Sequence, residues 1–506
     1  MRKSLLTIRS PQTALLFALF VFSTLASSLP AQQATTVEVE LGKSAASKPL
    51  SGRLLVFFST RNQQPMNGPD WFRPEPFFGK DVTNFAPGSS ILIDDEADAC
   101  TSPLSKLPAG EYFVQAILHH DFYSANHARG AGNVYCQSKQ VKLDGSPIKL
   151  VLDKIVEGPK LTNTESVKFV EVESKLLSDF HKRAVTERAM VVLPASYDEN
   201  PNRRYPVYFD ISGFGGTLER LQRRGAASQV AEGQAEFIRV YLTGQCRWGH
   251  HVYANSATNG PRGDALVREM VPAIDKQFRT VAEPTARFVG GHSSGGWSSL
   301  WLQVSYPESF GGVWSTAPDP VDFRDWQGTN LYDSNDNVFF DSDKNKKPLA
   351  RFNGRVMATY ADFTKMDDAL GQGGQIRSFD AVFSPLDENG KPKQCWDRKT
   401  GAVIPDVAEQ WKKYDISLLL QENWSALEPV LKSKIHVYMG DQDTFYLEGA
   451  TKLLGERLKQ LGSDAVVEIF PGKDHSSLLS RDLRTRIARE MSQQFWKHHP
   501  KEPSGS

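Results

Sequence analysis

The segment GHSSG at residues 291–295 constrains the fold of this chain more than any other feature. A β-like stretch precedes it at 286–290, and a helix-like stretch follows it at 297–302. By itself such a segment is equally typical of a Gly/Ser-rich turn, but its place between strand and helix favours a functional interpretation. A strand that turns directly into a helix strains the residue at the turn, and flanking glycines let neighbouring chain approach. We therefore predict a nucleophile elbow that presents Ser293 at the C-terminal edge of a sheet.

Strand and helix patterns alternate along the second part of the chain, from about residue 162. Strands are predicted at 189–194, 205–211 and 235–241, and residues 264–278 carry apolar side chains at helical spacing. This alternation is typical of an α/β fold with a mostly parallel sheet and flanking helices. We predict that this domain covers residues 162–498.

Residues 318–432 interrupt the alternation with a stretch rich in Asp, Asn, Gly and Lys. A long irregular segment inside a compact domain is usually a cap, a lid or a binding surface, so we predict a cap-like insertion. Asp341 opens a stretch that resembles a calcium loop. Lys346 and Phe352 stand where that loop needs Gly and Glu, which favours a solvated turn.

The first part of the chain has a different pattern, with short strands separated by turn residues. Strands are predicted at 37–41, 53–58, 111–118 and 148–152, which indicates a small all-β sandwich-like domain over 35–155. His119, His120 and His127 lie near Asp121 and are compatible with a metal site. Isolated surface histidines are the preferred interpretation.

The N-terminus has the pattern of an export signal over residues 1–31. Arg2, Lys3 and Arg9 give it a positive start, residues 14–22 are apolar, and small residues precede Ala31. The apolar run is too short to span a bilayer, and no later segment approaches the required length of roughly 20 residues. An uncleaved membrane anchor is the alternative. We expect a secreted or periplasmic protein without a transmembrane segment after signal removal.

Charge and cysteine content exclude some partners and suggest one modification. Lys+Arg and Asp+Glu balance at 59 each, which argues against a nucleic-acid partner. The four cysteines lack the Cys-x-x-Cys spacing of zinc sites. In an oxidising compartment an even number favours disulfides, and of three possible pairings we predict Cys100–Cys136 and Cys246–Cys395.

An acid and a base follow the serine in chain order. Residues 434–440 are predicted as a strand that leads into Asp441 and Asp443, and residues 465–470 as a strand that leads into His475. Ser, Asp, His is the order of the α/β-hydrolase triad, in which the base activates the serine and the acid orients the base. Asp443 is preferred over Asp441, and His475 over His292, whose side chain is expected to point away from Ser293.

A glycine-rich loop, SGFGG at 212–216, follows the strand predicted at 205–211. No Lys-Ser or Lys-Thr follows it, so it is not a phosphate-binding P-loop. Such a loop beside a nucleophile supplies backbone N–H groups for an oxyanion. We predict that the N–H groups of Phe214 and Ser294 form this pair.

Together these segments resemble the esterase-D-like family of α/β-hydrolases, which includes formylglutathione hydrolases, feruloyl and acetylxylan esterases, enterochelin esterases and mycolyltransferases. The resemblance covers roughly residues 162–498, with 318–432 outside the usual pattern, and Ser212 stands where many members have His. The motifs that carry it are YPV at 205–207, GFGG at 213–216, NGP at 259–261, GHSSGG at 291–296, YPESF at 306–310, GDQD at 440–443 and GKDH at 472–475.

The resemblance implies a serine carboxylesterase that acts through an acyl-enzyme, without metal or cofactor, and the N-terminal pattern adds export. Ser293 is then the nucleophile, His475 the base and Asp443 the acid. Gly213, Phe214, Trp248 and part of the insertion would frame a pocket for a small-molecule or polysaccharide-linked ester. Carbohydrate, phenolic and siderophore esters all stay open. The alternatives are an acyltransferase of the same fold and a non-catalytic carbohydrate-binding protein.

Overall fold

The structure is a computed structural model that describes residues 35–224 and 233–500. The predicted export signal at 1–31 lies outside the described residues. Among the helices that are described, none combines the length and the apolar character that crossing a membrane requires.

Two antiparallel-rich sheets form the N-terminal part of the described chain. One has the order β4-β1-β9, and the other has the order β10-β7-β6-β2-β3-β5 with β8 also paired to β6. The strands are β1 (Val37–Leu41), β2 (Leu50–Ser59), β3 (Phe77–Phe85), β4 (Ser90–Ile93), β5 (Asp98–Ala99), β6 (Gly110–His119), β7 (Val134–Tyr135), β8 (Lys139–Leu143), β9 (Ile148–Leu152) and β10 (Lys154–Ile155).

Alternating side chains hold the two N-terminal sheets together. Val37, Val39 and Leu41 of β1 share a buried cluster with every second residue of β2, from Leu54 to Phe58. Successive side chains of a strand point to opposite faces, so alternate residues of β1 and β2 meet in this cluster. The predicted sandwich-like domain is confirmed.

A sheet of eight strands forms the centre of the following part, in the order β11-β12-β14-β13-β19-β20-β23-β24. The pairs β11–β12 and β12–β14 are antiparallel and the others are parallel, which confirms the mostly parallel α/β sheet. Strands of this part are β11 (Val167–Glu173), β12 (Thr186–Val192), β13 (Val207–Ile211), β14 (Ile238–Leu242), β15 (Gln245–Cys246), β16 (Gly249–His250), β17 (Asn255–Ser256), β18 (Gly260–Pro261), β19 (Arg287–His292), β20 (Gly312–Thr316), β21 (Pro348–Phe352), β22 (Arg355–Thr359), β23 (Ile435–Gly440) and β24 (Val466–Phe470).

Helices flank this sheet and bury its central strands on both faces. Strand β20 is buried at every position, as expected for a parallel strand that is covered on both sides. The described α-helices are α1 (Lys175–His181), α2 (Leu218–Arg224), α3 (Arg262–Ala265), α4 (Val271–Gln277), α5 (Ser294–Ser305), α6 (Tyr360–Leu370), α7 (Gln375–Phe383), α8 (Pro405–Trp411), α9 (Ile416–Leu431), α10 (Glu448–Gln460) and α11 (Arg481–His498).

The segment 318–432 is more regular than its composition indicates. It contains helices α6 to α9 and the β21–β22 hairpin, and its interior is aromatic. Trp326 packs against Phe379 and Trp411 with ring centroids 5.0 and 5.2 Å apart. Helix α9 packs against α5 and α10, so the end of the segment belongs to the helical layer of the main sheet. The domain boundaries at 35–155 and 162–498 stay predictions.

The larger N-terminal sheet packs against this segment through its outer face. Leu55 and Phe57 belong to the same buried cluster as the core of the main sheet. The buried Arg53 guanidinium donates to the carbonyl oxygens of Asp368 (3.1 Å) and Ala369 (2.8 Å), at the end of α6. It also pairs with Asp98 of β5 at 2.7 Å, so its charge is compensated within the N-terminal sheet.

His119 and His127 are buried, contrary to the preferred interpretation as surface histidines. Burial lowers the pKa of His119 to about 3 and that of His127 to about 4, so both rings are neutral at pH 7. His119 Nε2 then donates to the Ser124 carbonyl oxygen at 2.8 Å. His127 Nε2 donates to the Met66 carbonyl oxygen, also at 2.8 Å. The two histidines therefore support the loops of the β domain.

The predicted disulfides are wrong, because all four cysteines lie among the described residues and are free. Cys100 follows β5 and Cys136 follows β7, and three strands lie between β5 and β7. At about 4.8 Å per strand, this order separates them by roughly 19 Å, whereas a disulfide needs Cα atoms within about 7 Å. Cys246 instead donates a hydrogen bond from Sγ to Asn259 Oδ1 at 3.4 Å.

Free thiols can be counted directly. Denatured, unreduced protein should react with four equivalents of an alkylating reagent, because the fold holds the sulfur atoms apart. Mass spectrometry of the alkylated chain gives the count, and a reduced sample serves as the reference. A deficit of two or four labels in the unreduced sample would reveal a disulfide and contradict the four free thiols.

Candidate active site

Ser293 occupies a strained turn between β19 and α5. Its backbone has φ 61° and ψ −127°, a conformation that costs a non-glycine residue about 1–3 kcal/mol. The Ser293 N–H donates to the Thr316 carbonyl oxygen at 3.0 Å, and the Ser293 carbonyl oxygen accepts from the Trp297 N–H at 3.0 Å. Strand β20 on one side and the first turn of α5 on the other therefore hold the turn in place.

Glycines let the end of β13 and the loop after it approach this turn, and let the turn itself close tightly. A Cβ added at Gly295 would overlap the carbonyl oxygen of Ile211, and one at Gly291 would overlap that of Gly295. A Cβ at Gly213 would lie 2.9 Å from the His292 carbonyl oxygen and 3.1 Å from Ser293 Cβ. The predicted oxyanion loop thus lies directly against the elbow.

A buried histidine that the sequence did not single out supports the oxyanion loop. His250 Nε2 contacts the Ser212 carbonyl oxygen at 2.9 Å, and its Nδ1 accepts from the Val252 N–H at 3.1 Å. Since Nδ1 accepts, Nε2 carries the proton and donates. Burial lowers the pKa of His250 to about 4, which keeps this neutral tautomer at pH 7.

Asp443 and His475 meet at the carboxyl ends of β23 and β24. His475 Nδ1 lies 2.7 Å from Asp443 Oδ2, and the Asp443 side chain is wholly buried. Asp441 instead accepts from the Gly472 N–H at 2.7 Å, as a loop residue. Burial lowers the pKa of the His475 imidazole, but the charge of Asp443 and its hydrogen bond outweigh burial and raise that pKa above its ordinary value.

His292 packs beside this pair. Its ring centroid is 4.5 Å from that of His475, and its Nδ1 is hydrogen-bonded to Thr316 Oγ1 at 3.1 Å. Burial lowers the pKa of His292 to about 3, so it carries no charge at pH 7. A neutral ring that already binds Thr316 is a packing partner of His475.

Asp319 is a second carboxylate beside the elbow, and sequence reasoning missed it. Its Oδ2 accepts from Ser294 Oγ at 2.6 Å, and its N–H lies 3.4 Å from the Ser293 carbonyl oxygen. Burial raises its pKa to about 6. Its position three residues after β20 was the available signal, because such sheets build sites at the carboxyl ends of their strands.

A cavity of about 1100 Å³ brings part of the predicted site together. Ser293, His475, Gly213 and Phe214 all line it, whereas Asp443 lies beneath His475. Trp248 does not line this cavity in the part of the chain that the structure describes. It lies in the turn between β15 and β16. Aromatic residues that the sequence did not indicate take its place, namely Trp71, Tyr360, Phe363, Phe379 and Phe445.

Metal chemistry was not expected from the sequence. Within 35–224 and 233–500, no group of three or more His, Cys, Asp or Glu side chains is arranged to hold a metal ion.

The family model described as "Putative esterase" matches residues 186–476, which is more than half of the chain. The chain belongs to this family and is a serine esterase. The strained serine between strand and helix, the loop beside it and the acid–base pair all lie inside the matched range. No curated protein matches the chain by sequence.

Several solved structures are similar to this chain over about two thirds of its length. A ferulic acid esterase is 15% identical, covers 65% of this chain and 99% of its own, and has a TM-score of 0.40. An S-formylglutathione hydrolase from Agrobacterium tumefaciens is 14% identical, covers 66% and 98%, and has a TM-score of 0.41. The fluorophosphonate-binding serine hydrolase F of Staphylococcus aureus is 11% identical, covers 65% and 98%, and has a TM-score of 0.40.

Replacing Gly295 by Ala should damage both fold and activity, because the new Cβ meets the Ile211 carbonyl oxygen inside a packed core. We expect a loss of about 3 kcal/mol in unfolding free energy and a sharp fall in ester hydrolysis. Denaturant unfolding and kcat/KM measure the two effects. Gly110→Ala is the control, since its Cβ would meet nothing closer than 3.9 Å. A Gly295→Ala protein as stable and active as that control would contradict the packing described.

Proposed function

We propose that this chain hydrolyses carboxylic esters through an acyl-enzyme on Ser293, with His475 as the base and Asp443 as the acid. The 2.7 Å contact between His475 Nδ1 and Asp443 Oδ2, beside the cavity that Ser293 lines, carries the proposal. An aspartate on Nδ1 leaves Nε2 to take the serine proton and stabilises the imidazolium that results.

In the first half of the reaction, Ser293 Oγ attacks the ester carbonyl carbon and its proton moves to His475 Nε2. The carbonyl oxygen becomes an oxyanion, for which the N–H groups of Phe214 and Ser294 are the proposed donors. The Ser294 N–H suits this role because first-turn N–H groups have no partner within the helix. One such donor is worth about 10²–10³ in kcat.

The tetrahedral intermediate then collapses. The bond between the carbonyl carbon and the alcohol oxygen breaks, and His475 gives its proton to the departing alcohol. In the second half, water attacks the acyl carbon and gives a proton to His475 Nε2. The bond between that carbon and Ser293 Oγ then breaks, His475 returns the proton to Ser293 Oγ, and the carboxylic acid leaves. The imidazole thus ends each cycle neutral and ready to accept a proton.

We further propose that the substrate is a small-molecule or polysaccharide-linked ester. We also propose that the protein is exported. The aromatic lining of the cavity supports a carbohydrate or phenolic group, since both pack well on aromatic faces. The charged start, apolar run and small residues of 1–31 support export.

Ser293→Ala should lower kcat/KM for a simple ester by at least roughly 10³-fold, because it removes the nucleophile and leaves the fold intact. Hydrolysis of p-nitrophenyl acetate gives the measurement. Ser305→Ala, at the far end of α5, is the matched control and should keep full activity. Equal activity of the two variants would refute the assignment of Ser293.

The pH dependence should report the charges around His475. The base must be neutral, so activity rises with pH as His475 loses its proton. The Asp319 carboxylate adds to the charges that raise the pKa of His475. Asp319→Asn keeps an acceptor for Ser294 and removes this charge, so the pKa falls and the acid limb of the kcat/KM profile moves to lower pH.

Asp474→Asn provides the comparison for this profile. Asp474 also raises the pKa of His475, but less than Asp319 does, because Asp474 is half-exposed to solvent and Asp319 is buried. Its removal should therefore move the acid limb less than Asp319→Asn. An Asp319→Asn profile that is unchanged, or displaced to higher pH, would contradict the placement of this carboxylate beside the base.

A further inference from the structure

We propose that the N-terminal β domain helps to select the substrate, because its Trp71 forms part of the wall of the ester cavity and favours esters that carry an aromatic ring. This inference rests on the proposed hydrolysis at Ser293. It assigns a specificity-determining role to a domain that contributes no residue to the proposed triad.

Trp71 stands in the loop between β2 and β3 and reaches three other parts of the chain. Its ring centroid lies 5.6 Å from that of Phe214 in the oxyanion loop and 5.3 Å from that of Phe363 on α6. It lies 6.5 Å from that of Phe445, two residues after Asp443. Separations of 4.5–7 Å are those of aromatic pairs in contact.

This aromatic wall extends from one side of the reacting centre to the other. Phe445 contacts His475 edge to face, with centroids 5.0 Å apart and an angle of 86°. Phe214 directly follows Gly213, which packs against Ser293. Trp71 lies between these two phenylalanines and joins them into one surface. A bulky group on the ester carbonyl or on the alcohol therefore meets Trp71, whereas an acetyl group stays near Ser293.

The loop that carries Trp71 is held on both sides. Asp70 Oδ1 accepts from the N–H groups of Phe72 (2.8 Å) and Arg73 (3.0 Å). Earlier in the loop, the Met66 carbonyl oxygen accepts from His127 Nε2, and the Met66 N–H donates to Gln115 Oε1 at 3.2 Å. A wall fixed in advance binds a ring at a lower cost in entropy than a mobile one.

The N-terminal sheet also positions the partner of Trp71 on the insertion. Arg53 binds the carbonyl oxygens of Asp368 and Ala369 near the end of α6, the helix that carries Phe363. A Cβ at Gly79 of β3 would overlap the same Ala369 oxygen, so backbone of the two parts is in close contact. The contacts that hold the N-terminal sheet against α6 therefore also place Phe363 beside Trp71.

Trp71→Ala tests the inference, with Trp248→Ala as the matched control because Trp248 is a half-buried tryptophan outside the cavity. Two pairs of esters separate the two sides of the reaction. Methyl 3-phenylpropionate against methyl butyrate tests the acyl side, and benzyl acetate against ethyl acetate tests the alcohol side.

We expect Trp71→Ala to lower kcat/KM about tenfold, mainly through KM, for the aromatic member of at least one pair, the size of one aromatic contact. Ethyl acetate and methyl butyrate should change less than about twofold. Trp71→Phe should recover much of the preference, and Trp248→Ala should leave it unchanged. Thermal unfolding of each variant shows that the protein is folded.

Two results would overturn the inference. One is an equal fall for aromatic and aliphatic esters, which would mean that Trp71 only supports the fold. The other is an unchanged preference in a folded Trp71→Ala protein. Failure of the proposed function is a different result, because the wild-type protein would then hydrolyse none of the four esters, and the inference would fall with it.

Discussion

The close approach of α5 to β13 is the constraint on which the site depends. Gly295 lies so close to the Ile211 carbonyl oxygen that no side chain fits at position 295. This contact fixes the position of Ser293 relative to the end of β13. The strain at Ser293 is maintained because β20 and α5 both bind its backbone. The same packing places the loop after β13, with Gly213, against the nucleophile.

Charge in this site is concentrated around one imidazole. Asp443 is fully buried against His475. Asp319 accepts a hydrogen bond from Ser294, the residue after the nucleophile. His292 and His250 are close by but neutral, since burial lowers their pKa values to about 3 and about 4. Of these three histidines, His475 is the one whose pKa suits proton transfer near pH 7.

Local patterns were enough to predict the α/β fold, the sandwich and the family. They also singled out Ser293, Asp443 and His475, because each follows a strand that the sequence marks clearly. Asp319 did have a signal, its position just after β20, which the prediction did not use. Trp71 and His250 depend on contacts between distant segments, and no spacing in the chain reveals them. The disulfide prediction was wrong for the same reason, because strand order, and not cysteine spacing, separates Cys100 from Cys136.

Covalent trapping tests most directly whether Ser293 is the nucleophile. The protein is incubated with a fluorophosphonate until ester hydrolysis stops, then digested and mapped by peptide mass spectrometry. One phosphonyl group is predicted, on Ser293 in the peptide that carries GHSSG at 291–295. A phosphonyl group on another residue, or full inactivation with Ser293 unmodified, would contradict the proposed mechanism.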